Sequence, residues 1–312
     1  MKVLFMGTPE LAAECLRAVY EKDGVDIVGV VTQTDKPKGR GMKLVPPPVK
    51  VFAEEHGIPV YQPTTLRDGA FAETLDELSP ELIIVAAYGK LLPPYVLDYP
   101  RYGCVNAHGS LLPKYRGAAP IQRAIIDGER VTGITAMYME EGLDTGDMIL
   151  KLECPISDED NFGTVHDRLA VLAGEAMCAV IDRIRDGTIT REKQSEDGAS
   201  YAQKIAKEDC IVDLSRSPRE VFDLIRGLSP MPYAMTHTPD GRLLKLTSAI
   251  APDDEVSDAP CGTVLSLDRG IIKLSCGGGV LSITGVVPEG KKPMSAADYI
   301  RGRKLSVGDV LR

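Results

Sequence analysis

Along the first half of the chain, β-rich, mainly apolar runs fall at 2–6, 25–32, 58–61 and 82–87. Between the first two, Leu11, Cys15, Leu16 and Val19 recur at helical spacing. A second helix is expected after Pro46-Pro47-Pro48, ending at Gly57, and a third over about 68–78. Unbroken apolar strands separated by helices predict a mostly parallel sheet covered on both faces. Right-handed crossovers then make a doubly wound, Rossmann-like α/β domain that binds ligands at the carboxyl ends of its strands. Thr8-Pro9-Glu10 reads as the start of the first helix, with Thr8 as cap and Pro9 in the first helical position.

The alternation continues with strands at 103–107, 133–139 and 148–152 and helices at 118–126 and 164–185. The last of these carries Leu169, Leu172, Ala176 and Val180 as its apolar stripe. Polar, aperiodic sequence at 188–200 then reads as a surface linker. Beyond it, a helix at 218–228 presents Val221, Phe222, Leu224 and Ile225. Short strands follow at 243–247, 262–267, 271–274 and 280–287 between glycine-rich turns, the spacing of a small, OB-like β-barrel. A helix at 298–304 closes the chain. The expected organisation is a catalytic domain over 1–187, a linker over 188–207 and a C-terminal barrel over 208–312.

Composition narrows the class. With 44% apolar and 26% charged residues among 312, the chain is globular. No apolar run approaches the ~20 residues a membrane-spanning helix needs, and the first run is too short for a signal peptide. A cytoplasmic protein is expected. Its seven cysteines are odd in number and lack a Cys-x-x-Cys pair, which suits reduced thiols and not disulfides or zinc. The net charge is −9, and residues 206–312 carry 14 basic and 14 acidic side chains, so the whole excess lies in 1–205. Two basic islands stand out: Lys36, Lys38, Arg40, Lys43 and Lys50, and Lys291, Lys292, Arg301, Arg303 and Lys304. Salt limits the reach of distant acids to ~8–10 Å, so such islands still hold phosphates. Taken alone, they are more often solvated faces.

The candidate chemistry gathers at one strand end. Asn106 and His108 are two apart, so their side chains share a face, and Gly109 lets the backbone turn beside them. A carboxamide and an imidazole there form an oxyanion donor and a general base in reach of one substrate atom. Downstream, Gly142-Leu143-Asp144-Thr145-Gly146-Asp147 is a glycine-bounded loop that brings Asp144 toward His108, where a carboxylate holds one imidazole tautomer. By itself an Asn-x-His pair is more often structural than catalytic, and an acidic glycine loop more often a turn. Of the four histidines, only His108 has such company. No His/Cys/Asp cluster has metal-ligand spacing, so no metal is expected. Gly7-Thr8-Pro9 lacks both the dinucleotide fingerprint and a phosphate-loop lysine.

The stretch from Asn106 to Gln122 (NAHGSLLPKYRGAAPIQ), with Gly-Leu-Asp-Thr-Gly-Asp downstream, resembles the signature of the folate-dependent formyltransferases. The likeness extends to Gly7-Thr8-Pro9, the loop 33–41, Ala87-Tyr88-Gly89 and the element 290–296. It implies 10-formyltetrahydrofolate as cosubstrate and the α-amino group of methionine on initiator tRNA as acceptor, in a cytoplasmic protein without membrane contact, expected to be a monomer. It implies folate contacts at Ser110, Leu111, Leu112 and Pro113, at Tyr88, Gly89, Leu91 and Leu92, and along the Asp144 loop. It implies tRNA contacts by Arg40, Lys36, Lys38 and Lys43 at the acceptor end, and by Lys291 and Lys292 in the C-terminal barrel. The chain departs from the pattern at Ser229-Pro230-Met231-Pro232, where family members often place an aromatic between the prolines.

On this reading Asn106 donates to the developing oxyanion, His108 either donates to that oxygen or moves the amine proton, and Asp144 orients His108. Two rivals stand beside it. One is a formyltransferase acting on a sugar-nucleotide amine or glycinamide ribonucleotide. The other is a non-catalytic tRNA-binding module.

Overall fold

The run at 2–6 becomes strand β1 (Lys2–Gly7), buried from its second residue onward because strands flank both its edges. In the computed structural model, which describes residues 1–38, 42–302 and 304–312, α1 (Glu10–Tyr20) and β2 (Asp26–Val31) follow. Then come a hairpin of β3 (Lys36–Lys38) and β4 (Lys43–Val45), α2 (Pro48–Glu55), β5 (Val60–Tyr61), α3 (Ala72–Leu78) and β6 (Leu82–Ala86). The short α4 (Pro94–Leu97) leads to β7 (Cys104–His108), β8 (Arg116–Gly117) and α5 (Pro120–Ile126). After these lie β9 (Val131–Tyr138), β10 (Met148–Pro155), the long α6 (Phe162–Arg185) and β11 (Tyr201–Ala202).

Seven of these strands form one sheet in the order β10-β9-β7-β6-β1-β2-β5. The five from β7 to β5 run parallel, while β9 lies antiparallel to β7. β6 and β7 are buried along their whole length, which is why they read as unbroken apolar runs. Leu4, Met6, Ile83 and Val85 pack there with Phe71, Leu75 and Val96. The chain winds outward from β1 to β2 and β5, then returns to β6 and β7 on the other side. Strand order therefore reverses between β1 and β6, and the crevice at their carboxyl ends is the ligand position of such sheets. Gly7, opposite Ala86, closes that point: an added Cβ would lie 2.8 Å from the Ala86 carbonyl and 2.6 Å from Ala12 Cβ.

The start of α1 differs from expectation. Pro9 is itself the cap residue, extended and without a capping hydrogen bond, so Thr8 lies one position too early to cap. The Thr8 hydroxyl instead donates to the Tyr88 carbonyl at 3.3 Å, across the switch point.

By its internal contacts the chain divides into two units. The first comprises Met1–Pro120, Thr132–Cys154 and His166–Ala202; the second comprises Ile121–Val131, Pro155–Val165 and Gln203–Arg312.

In the second unit a short 3-10 turn (Glu208–Cys210) precedes α7 (Pro218–Gly227). Ser217 and Glu220 form a reciprocal capping box at its start. β12 (Ala234–His237), β13 (Leu243–Ile250), β14 (Val264–Ser266), β15 (Ile272–Cys276), β16 (Gly279–Pro288), β17 (Met294–Ser295) and α8 (Ala296–Arg301) complete it. The strands pair antiparallel along β12-β13-β16-β15-β14, with β17 on β16. Val221, Phe222 and Ile225 of α7 share their core with Leu244, Leu246 and Ile283. Among the described residues this path does not pair β14 with β12, so the structure shows an antiparallel sheet and not a closed barrel. The last residues touch both ends: Asp309 O accepts from Val264 N at 2.8 Å, and Arg312 N donates to His237 O at 3.0 Å. No helix among the described residues is long and apolar enough to cross a membrane.

Candidate active site

β7 delivers Asn106 and His108 to the carboxyl end of the sheet. Strand alternation puts both on one face, and both are buried, Asn106 to 9% exposure and His108 to 5%. Asn106 pairs with Val85 of β6 and Met137 of β9, and His108 pairs with Thr135. Among the described residues no hydrogen bond engages the Asn106 carboxamide, so both its donors remain for another molecule.

The loop after β7 is fastened from β9. Thr135 Oγ donates to Ser110 O at 2.7 Å and accepts from Leu112 N at 3.1 Å. The Ser110 hydroxyl is spent on Lys114 O at 2.6 Å. This holds Tyr115, in a left-handed conformation (φ +61°), with its carbonyl 2.8 Å from His108 Nε2. A carbonyl only accepts, so Nε2 carries a hydrogen and Nδ1 is the nitrogen that gains or loses a proton. Nδ1 lies 3.7 Å from Asp144 Oδ2. Asp144 is also left-handed (φ +54°), and its Oδ2 accepts from Gly117 N at 2.8 Å. The structure thus brings His108 and Asp144 together, with the imidazole held through Nε2 and the carboxylate facing Nδ1; Tyr115 was not expected in that part.

The polar stretch expected as a linker lies on the surface but is not a bare connector. Glu192 bridges Met148, Glu196 pairs with Arg116 at 3.2 Å, and Ser200 Oγ accepts from Tyr115 N at 2.9 Å. β11 then pairs in parallel with β8. Gln194 Nε2 donates to the carbonyls of Asp144 and Gly146. None of these residues carries a periodic or motif signal of its own.

The residues expected at the folate divide by exposure. Ser110, Leu112, Tyr88 and Leu92 are buried, whereas Leu91 is 56% exposed and Leu111 and Pro113 are half-buried. Among the described residues the buried Tyr88 hydroxyl has no hydrogen-bond partner, and burial pushes its ionisation up to about 12. Its carbonyl accepts from Gln33 Nε2 at 2.9 Å. On either side, Ala87 (φ +44°) and Gly89 (φ +80°) are left-handed and exposed. A depression of about 290 Å³ adjoins them, lined by Thr64, Thr65, Leu66, Arg67, Lys90 and Leu91.

Arg40 lies outside the described residues, as do the side chains of Lys38 and Lys43. Lys36 is exposed and donates to Gln33 Oε1 at 2.8 Å. Lys50 leaves the basic island: it pairs with Asp35 at 2.9 Å, and the Gln62 and Lys50 hydrogen bonds lower the ionisation of that carboxyl. Lys291 and Lys292 are exposed just after β16. Met231 is 70% exposed, between prolines that both follow cis peptide bonds. Among the described residues no group of three or more His, Cys, Asp or Glu is placed to hold a metal ion.

Residues 1–181 match the formyl transferase family profile, and 204–304 match the formyl transferase C-terminal domain. The methionyl-tRNA formyltransferase of Marinobacter nauticus is 47% identical, covering 97% of this chain and 97% of its own. That of Geobacter metallireducens is 45% identical, covering 99% and 97%. Among solved structures, HypX from Aquifex aeolicus in complex with tetrahydrofolic acid superposes with a TM-score of 0.64 at 17% identity, over 96% of this chain and 47% of HypX. The sugar 3N-formyl transferase WlaRD superposes with a TM-score of 0.63 at 17% identity, over 94% and 99%.

Proposed function

The chain belongs to the formyl transferase family, and on that premise we propose that it transfers the formyl group of 10-formyltetrahydrofolate to the α-amino group of initiator methionyl-tRNA. The observation that carries the chemistry is the buried His108, with Nε2 committed to Tyr115 O and Nδ1 3.7 Å from Asp144 Oδ2. A base held in this way has one working nitrogen and one carboxylate to stabilise it when charged.

The site suits the donor. Asn106 offers a carboxamide that no hydrogen bond engages among the described residues, and the backbone at Ala87 and Gly89 is exposed and left-handed. Contacts at Ser110, Leu112, Tyr88 and Leu92 run through backbone groups on this reading, because those side chains are buried. The bound 10-formyltetrahydrofolate supplies the formyl group. Asn106 donates to the formyl oxygen as it gains negative charge, the type of interaction worth ~10²–10³ in rate. His108 Nδ1 accepts the proton of the attacking amine and returns it to the leaving nitrogen, while Asp144 stabilises the charged ring. The new carbon–nitrogen bond is to the methionine amine, and the bond broken is to the folate nitrogen.

Lys36, Lys38, Arg40 and Lys43 of the first basic island and the pair Lys291 and Lys292 are the basic groups proposed to meet tRNA phosphates. An OB-like curvature of the second sheet is supported by the tail, which bonds β14 and β12 at once. The alternative acceptor, a sugar-nucleotide amine, draws on the likeness to WlaRD, which at 17% identity speaks for the fold alone. A transfer assay offering methionyl-tRNA beside sugar-nucleotide amines decides between them. Formylation of the sugar amine and not of the tRNA would overturn the proposal.

A further inference from the structure

The polar segment after α6 contains one side chain whose amide is engaged at both ends. Gln194 Nε2 donates to Asp144 O at 2.8 Å and to Gly146 O at 2.9 Å. Its Oε1 accepts from Arg116 Nε at 3.0 Å. Arg116 is 1% exposed and holds Glu196 through its remaining guanidinium nitrogens. One residue further, Gly117 N donates to Asp144 Oδ2. The amide therefore joins the two strands of backbone on which the His108–Asp144 pair depends: it grips the main chain of the acidic loop and the side chain beside the residue that grips its carboxylate.

We infer that Gln194 is a positioning residue for formyl transfer, setting the place of the Asp144 carboxylate against His108 Nδ1. Three observations support it beyond mere loop packing. Asp144 is left-handed without being glycine, a conformation that persists only when its surroundings impose it. Both amide hydrogens of Gln194 go to that turn. The 3.7 Å separation from His108 leaves the pair sensitive to small shifts, and a misplacement of about 1 Å costs about 10²-fold in rate. The inference rests on Asp144 having the role proposed above.

The isosteric Gln194→Glu tests it. This variant keeps the acceptor for Arg116 Nε and replaces the two donors with an oxygen that repels the Asp144 and Gly146 carbonyls. With methionyl-tRNA and 10-formyltetrahydrofolate, we expect kcat to fall about 10- to 100-fold, with both KM values within about threefold. The loss should shrink toward low pH, where the introduced carboxyl regains a donor. Combined with Asp144→Asn, it should add little to the loss from Asp144→Asn alone. If Asp144→Asn is crippled while Gln194→Glu turns over normally, or if the two losses multiply, the inference is overturned and the reading of Asp144 stands. If Asp144→Asn itself turns over normally, the reading of Asp144 fails first, and the inference with it.

Discussion

His108 and Tyr115 are joined across a tight loop: Nε2 of the ring is bonded at 2.8 Å to the Tyr115 carbonyl, seven residues along the chain. The hydrogen on Nε2 is therefore fixed by main chain, and Asp144 faces the nitrogen that remains. In the neutral ring Nδ1 is bare, with the Asp144 carboxylate 3.7 Å away.

Nitrogen-15 spectra of the imidazoles check this directly. The neutral His108 ring should show a protonated Nε2 and an unprotonated Nδ1. His108→Ala supplies the assignment among four histidines. A neutral ring protonated on Nδ1 would contradict the geometry and reverse the roles given to its two nitrogens.

Asn106 gives a sharper kinetic test, because no hydrogen bond within the described protein engages its carboxamide. Its removal strips a donor from the substrate without orphaning a partner. Asn106→Ala should lower kcat by about 10²–10³ while leaving the KM for methionyl-tRNA within a few fold. The stability cost should be that of a small cavity, about 1–2 kcal/mol. A large rise in KM with unchanged kcat would assign Asn106 to ground-state binding instead.

Thr135 is the hidden support of the loop. Fully buried on β9, it is the hydroxyl that accepts from Leu112 N and donates to Ser110 O. Thr135→Val keeps the shape and leaves a buried N–H without its acceptor, at about 1–3 kcal/mol. Urea denaturation should show that loss, and turnover should fall as well, because the same loop carries the Tyr115 carbonyl. A stability change below about 0.5 kcal/mol with full turnover would show that the loop holds without it.

These residues differ in how far the chain announces them. β6 and β7 are legible because parallel strands buried on both faces need unbroken apolar runs. Asn106 and His108 are legible because strand alternation needs nothing but their spacing. Gln194 and Ser200 are not, since each acts through hydrogen bonds to residues 78 and 85 positions away, and no local pattern encodes such a partner. Thr8 fails for a different reason: capping preference marks the neighbourhood of a helix start, and one residue of slippage at Pro9 redirects the hydroxyl to Tyr88. The division of the chain escapes for a third. Ile121–Val131 and Pro155–Val165 group by contact with the C-terminal unit, although their apolar spacing continues the α/β alternation.

In that second unit Asp158 predicts the acid response. Its Oδ1 lies 2.7 Å from Arg219 Nη2 and 2.6 Å from Arg130 Nη1. The Arg219 hydrogen bond first, then Arg130, hold its carboxyl down from 3.8 to about 2 against the opposing effect of burial. A folded value below the unfolded one means stability that is fully present above pH 3.8 and is lost as the pH falls through about 2. Because 37% of the side chain is exposed, water screens the pair and the contribution is smaller than the shift alone suggests. Asp158→Asn should therefore be less stable than wild type at neutral pH. The gap should hold down to about pH 4 and close progressively below it, as urea denaturation across that range would show. A gap that stays constant from pH 6 to pH 3 would remove Asp158 from the acid transition and leave packing as the cause of the loss.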